Sequence, residues 1–267
     1  MFIVSELFEQ VDQLKKSRDF VTNNFLPLSA LTRISKEEDS HLLYGGDAIL
    51  LIENDNGVNR MHFYLASLDV AFELVSLLQR MPIKPVVTDC IGKSHQVEKL
   101  SKALSAAGFR MYTKLSRWRS KSISFFAHDY FADEFFRIAK ASDCKAILHI
   151  LYKYFDPYVS HLPNAEKLLR LIENQLVFCA VNDGEIIAVV CLDRIGEKTI
   201  YSYQVVVVEE YRTAGIGVIL MQYALYHFRT CTRYIAWTED SNVTSNRIHK
   251  ALGMSYDGLK DHVLIYE

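Results

Sequence analysis

The stretch VVVVEEYRTAGIGVILMQYALYHF, Val205 to Phe228, constrains the fold more than any other. Four valines read as a strand, and the apolar segment after Gly217 reads as a helix. Arg212, Gly215 and Gly217 therefore stand at the single point where a strand becomes a helix. Such a turn leaves backbone N–H groups without intrahelical partners, and the positive end of the helix dipole adds to their field. Glycine permits positive φ and close approach of the backbone, so the turn is an anion-site candidate on physics alone. No Gly-Lys-Ser/Thr follows, which excludes a nucleoside-triphosphate loop. Val218-Ile219-Leu220 lacks the third small residue of a dinucleotide fingerprint. Arg212-Thr213-Ala214-Gly215-Ile216-Gly217 is left as either a tight connecting turn or a phosphate cradle of another kind.

The rest of the chain is an α/β protein with ample apolar material. Of its 267 residues 50% are hydrophobic, and the formal charge of −2 gives no global field to recruit nucleic acid or an anionic membrane. The apolar runs fall short of the roughly 20 residues that span a bilayer. The N-terminus, MFIVSELFEQVDQLKK, is acidic where a secretory leader is basic. Cys90, Cys144, Cys179, Cys191 and Cys231 are widely spaced and include no C-x-x-C, so they read as reduced thiols and not as a zinc site or a disulfide framework. The expectation is a cytoplasmic protein with no resident metal.

Two similar halves follow from the order of elements. In the first, DAILLIEND and RMHFYLAS flank Asn56-Gly57 as a hairpin. The helix VAFELVSLLQRM, the strand KPVVTDCIG, a helix ending at Gly108 and the strand RMYTKLSRWR come next. In the second, LVFCAVND and GEIIAVVCLDR flank Asp183-Gly184, then TIYSYQVVVV, the helix after Gly217, the strand YIAWTE, a helix ending near Gly253 and the strand HVLIYE. This repetition reads as a duplication, with domains at 1–122 and 123–267. A mainly helical stretch from about Phe125 to Gln175 joins them, with Ser142 or Asp143 and then Asn164 as helix caps. The basic run Lys114, Arg117, Arg119, Lys121 alternates with apolar residues and reads as a solvated sheet face.

The turn resembles the acetyl-coenzyme A-binding motif of the GNAT N-acetyltransferase superfamily. The resemblance covers about Ile123 to Glu267 and implies a mixed, mostly antiparallel sheet flanked by helices, here two such domains in tandem. It implies that the amides of Thr213, Ala214, Gly215, Ile216, Gly217 and Val218 bind the pyrophosphate of acetyl-coenzyme A, with Arg212 at the loop entrance. A bulge would splay the preceding strand from its neighbour, pantetheine would lie along Val206, Val207 and Val208, and the Val207 amide would stabilise the oxyanion. Glu209 stands where a proline is usual. A second match is Asn242, Ser245, His249 and Gly253, whose spacing places the first three on one helix face, with Ile248, Ala251 and Leu252 on another. His249 occupies the position of a tyrosine that commonly protonates the leaving thiolate. Its alternative is a surface histidine on an amphipathic helix.

Transfer to an amine also needs a base. Tyr201, Tyr203, Glu209 and Glu239 lie on or at the ends of the two splayed strands, and Trp237 would wall the acceptor pocket. The first half has no glycine between YLAS and its helix, so it reads as a degenerate domain that completes the acceptor cleft or supports a homodimer. The expected function is acetyl-coenzyme A-dependent N-acetyl transfer to a small-molecule or peptide amine by direct attack in a ternary complex. The alternatives are an aminoacyl or long-chain acyl transferase, and a non-catalytic acyl-coenzyme A sensor or protein-interaction module.

Overall fold

A computed structural model describes residues 2–123 and 135–267. The Phe125 start of the joining stretch lies outside the described residues. The chain divides into two compact units, Met1–Lys114 with Leu259–Glu267, and Leu115–Gly258.

In the first unit the elements are α1 (Val4–Leu14), β1 (Val21–Thr22), α2 (Leu28–Ile34), β2 (His41–Tyr44), β3 (Ala48–Asp55), β4 (Val58–Leu65), α3 (Phe72–Leu78), β5 (Val86–Lys93) and α4 (Ser94–Ala107). The Asn56-Gly57 hairpin forms as its sequence predicts, with both residues at positive φ (53° and 90°). Gly108 ends α4 in the left-handed region at φ 117°. Strands β2, β3 and β4 are antiparallel, β4 and β5 are parallel, and the crossover between them carries α3. β3 is buried along AILLIE because helices cover both its faces. Leu50 and Ile52 join the core under α3 and α4, while Ile49 and Leu51 join the one under α1 and α2.

β6 (Arg110–Ser120) runs from the first unit into the second. There follow β7 (Phe136–Ile138), α5 (Cys144–Tyr154), α6 (Ala165–Glu173), β8 (Val177–Asn182), β9 (Glu185–Ile195), β10 (Thr199–Val207), α7 (Ile216–Tyr226), β11 (Arg233–Glu239), α8 (Val243–Ala251) and β12 (Ser255–Tyr266). Asn164 caps α6 by accepting the Lys167 N–H at 2.8 Å. Asp143 makes no side-chain cap on α5. Its carboxylate instead accepts the Lys140 amide and a two-nitrogen fork from Arg137, at 2.6 and 3.1 Å. Strands β7 to β10 are antiparallel, β10 and β11 are parallel across α7, and β11 pairs antiparallel with β6.

Both units thus share one plan: an antiparallel meander, a parallel pair joined through a helix, and an antiparallel last strand. The last strands are exchanged along the sequence. β6 follows α4 yet closes the sheet of the second unit on β11, and β12 follows α8 yet closes the first on β5, from Leu259↔Lys93 to Tyr266↔Val86.

Each parallel pair is short. β4 and β5 pair only at Asn59↔Val86 and Arg60↔Val87, and beyond that point they part. The gap is filled by the chain itself. β1 pairs with β4, and the buried Asn23 side chain accepts the Phe63 N–H at 2.7 Å. Its amide donates to the carbonyls of Met61 and Asp89 at 3.0 Å each and to Thr88 Oγ1 at 2.8 Å. Asn23 thereby bridges both parted strands, binding the Phe63 N–H and the Asp89 carbonyl and sharing the Met61 carbonyl with Thr88 Oγ1.

Candidate active site in the second unit

The second unit parts its parallel pair in the same way. β10 and β11 pair from Thr199↔Arg233 to Ser202↔Ala236 and then diverge, β10 following β9 to Val207↔Ala188 and β11 following β6 to Glu239↔Leu115. The register of β10 on β9 shifts between Ser202 and Gln204, a bulge at the start of the divergence. Beyond it the Val208 N–H donates to Ile187 O at 2.8 Å, on the β9 side. Alternation along the strand turns the N–H groups of Val205 and Val207 the other way, into the opening, while that of Val206 faces β9.

The glycine turn stands at the end of this opening. Residues Glu209–Ala214 form a 3₁₀ turn, and Gly215, at φ 69°, is the N-cap of α7. Among the described residues no side chain caps the helix. The Gly215 carbonyl accepts the Val218 N–H at 3.1 Å, and the amides of Ile216 and Gly217 belong to the unpaired first turn. A Cβ on Gly217 would stand 3.2 Å from Val207 Cγ2 and 3.4 Å from Ile248 Cδ1, so glycine is what lets the turn close on β10. Arg212 does not reach free into solvent. Its Nε–H donates to Val207 O at 3.1 Å, and its guanidinium lies 5.1 Å from the centre of the Tyr154 ring. The Tyr154 hydroxyl accepts the Glu209 N–H at 3.3 Å. Tyr154 is a site residue that sequence reasoning missed, since an aromatic at the end of α5 carries no signal of what it will meet.

α8 begins at Asn242, whose side chain caps it by accepting the Ser245 N–H at 3.0 Å. Its polar residues do not form one exposed edge. Asn242 is exposed, Ser245 half-buried, and His249 is only 3% exposed. His249 Nε2 stands 3.5 Å from Ser245 Oγ, its Nδ1 has no hydrogen-bond partner among the described residues, and its ring lies 5.8 Å from that of Trp118. Burial pushes its pKa down to about 4, so the ring is neutral near pH 7. The surface-histidine alternative fails on this burial. Ala251, expected on the packed face, is exposed, while Ile248 and Leu252 do pack.

Tyr203, Glu239 and His249 are not brought together. Tyr201 sits beside Ile235, and alternation places Trp237 and Glu239 on that same face of the sheet. The Tyr203 ring meets that of Tyr201 at 5.5 Å. Ala236 pairs with Trp118 on the opposite face, where His249 packs. The Tyr203 hydroxyl donates to the His161 carbonyl and accepts from Lys167 Nζ at 2.9 Å. Glu239 is half-buried at the end of β11, where its carbonyl accepts the Asn242 N–H at 3.0 Å. Trp237 is flanked by the Arg117 guanidinium, 5.9 Å from the ring centre, and Arg117 in turn forks onto Asp257 at 2.7 and 2.9 Å. Glu209 lies in the 3₁₀ turn, exposed.

Parted parallel strands, a bulge at their divergence and a helix-opening glycine turn at the end make up the candidate site. Residues 144–254 match the family model described as Acetyltransferase (GNAT) family, and this stretch of the chain is a GNAT domain. Solved structures share the fold along nearly the whole chain. A GCN5-related N-acetyltransferase from Sphaerobacter thermophilus is 15% identical with a TM-score of 0.60, covering 93% of this chain and 95% of that one. A tandem GNAT protein from the clavulanic acid biosynthesis pathway is 11% identical with a TM-score of 0.60, over 97% and 93%. A GCN5-related N-acetyltransferase from Kribbella flavida is 14% identical with a TM-score of 0.60, over 89% and 91%. No curated protein matches the chain. Among the described residues no helix is long and apolar enough to cross a membrane.

Proposed function

We propose that the second unit is an acetyl-coenzyme A-dependent N-acetyltransferase acting on the amine of a small molecule or peptide. The observation that carries this reading is the seating of Gly217 against Val207, which puts an uncapped helix N-terminus at the mouth of a parted strand pair. The unpaired first-turn amides and the absence of a Cβ at Gly217 suit a pyrophosphate, so these residues fit the cofactor. The Ile216 and Gly217 amides would hold it, the Val218 N–H being already engaged by the Gly215 carbonyl, and the Val205 and Val207 N–H groups would meet the extended arm. When bound, acetyl-coenzyme A supplies an activated acyl group as its thioester. The Val207 N–H would be the donor to the carbonyl oxygen on which negative charge develops. Arg212, held on Val207 O and the Tyr154 ring, fixes the carbonyl of that same residue. Trp237 and Glu239 face the side from which an amine can approach, with Glu239 as its proton acceptor.

Titration calorimetry with acetyl-coenzyme A tests the reading. One-to-one binding that Gly217→Glu abolishes without loss of the folded circular-dichroism spectrum supports it, and absence of binding by the wild type overturns it. A second reading, an acyl-coenzyme A sensor, is favoured by the burial of His249, a neutral ring walled off by Trp118. Following free-thiol release against amines, amino acids, polyamines and peptides separates the two. Tight binding with no turnover on any acceptor selects the sensor.

A further inference from the structure

At the closed end of the parallel pair, opposite the glycine turn, lies a cavity of about 610 Å³. Arg119, Lys121, Lys198 and Arg233 line it, with Glu197 the carboxylate among the lining residues. The sheet register builds it: Arg233 stands beside Thr199, which stands beside Ile195, all on the face that carries Arg119 two residues along. The loop rim is fixed to the sheet, because the Lys198 carbonyl accepts the N–H groups of both Thr232 and Arg233 at 3.0 Å. None of the four cations has an ion-pair partner among the described residues, whereas Arg117 on the same strand is paired with Asp257. Four cations converging on one cavity repel each other unless an anion joins them.

We propose that this basin binds the phosphate-bearing end of a small molecule, separate from the cofactor turn. Its volume lies in the range of small-ligand pockets. Two guanidinium forks and two ammonium groups suit a di-anionic phosphate or pyrophosphate group, with arginine giving bidentate contacts. The basic run in β6 that reads as a solvated face in sequence thus divides. Arg117 serves an internal ion pair, and Arg119 and Lys121 serve the basin.

Pyrophosphate is the probe. Titration calorimetry of the full chain in saturating coenzyme A should give a single site whose affinity falls at least tenfold in the double variant Arg119→Ser/Arg233→Ser. Both residues are at the surface, and an unchanged melting temperature checks that the variant is folded. Unaltered affinity in the variant, displacement of pyrophosphate by coenzyme A, or no binding at all would overturn the proposal. Tighter binding of a single-stranded oligonucleotide through the same two arginines would overturn it in favour of a nucleic-acid surface. Because the basin shares no residue with the glycine turn, its failure and that of the cofactor reading are read separately: the variant should still bind acetyl-coenzyme A if the transferase reading holds.

Discussion

Gly217 and Val207 stand so close that a Cβ on the glycine would lie 3.2 Å from Val207 Cγ2. Gly217→Ala must therefore push α7 away from β10 or twist the valine. Overpacking of this kind costs about 1–3 kcal/mol, partly offset by about 0.5–1 kcal/mol of helix propensity. The expected net loss of stability is about 1 kcal/mol, with acetyl-coenzyme A affinity falling at least tenfold. Urea melts and calorimetry on the same preparation check both. Full affinity in a folded Gly217→Ala protein would separate the close contact from the function.

Asn23 holds the parted strands of the first unit by hydrogen bonds to Phe63, Met61, Thr88 and Asp89. Asn23→Leu keeps the volume but takes the partner from the Phe63 N–H and the Asp89 carbonyl, while Thr88 Oγ1 and the Met61 carbonyl keep each other. The cost is about 2–4 kcal/mol, because each buried group left unpaired forfeits about 1–3 kcal/mol. Equilibrium denaturation is the measurement. A loss under about 0.5 kcal/mol would mean that water replaces the side chain without penalty.

His249 gives stability a pH dependence with a definite sign. Its folded pKa, lowered to about 4, lies below the ordinary value of 6.5, so the unfolded chain binds the proton more readily between those values. Stability contributed by keeping the ring neutral is full above about pH 6.5 and drains away as the pH falls to about 4, by about 3 kcal/mol in total. His249→Gln should flatten the fall between pH 7 and pH 5 relative to wild type. Parallel curves for the two proteins would contradict the buried, uncharged state.

β5 depends on β12. It touches β4 in only two register pairs, whereas Leu259 to Tyr266 pair with it along its length. Ending the chain before Leu259 should expose the β5 amides, Val86 to Lys93, to fast hydrogen exchange, while β8 to β10 remain protected. Retained protection in β5 would show that other contacts hold it.

Hairpins, helix-end glycines and the turn after β10 were legible because each rests on local backbone chemistry that a residue type announces. Asn56-Gly57, Asp183-Gly184 and Gly108 all take the positive φ that their identities imply. The parting of β10 from β11 was reached only through resemblance, since no residue type marks a strand that leaves its neighbour. The role of Asn23 was hidden in VTNNFLP, where either asparagine could serve a turn. His249 shows the limit of spacing arguments: i, i+3 and i+4 residues share a face, but only packing against Trp118 decides how much of that face is dry. The exchange of β6 and β12 was equally hidden, because two alternating strands at equivalent positions carry no label for their partners.

That exchange sets a schedule for synthesis. A ribosome makes α1 through α4 well before residues 259–266, the strand that finishes their sheet. Until then β5 waits with an open edge, and that edge is what a chaperone or an aggregating neighbour would meet. The second unit receives β6 before its other strands exist and so has its own closing strand in hand from the start. Of the two units, the one whose strands are made first is the one sealed later.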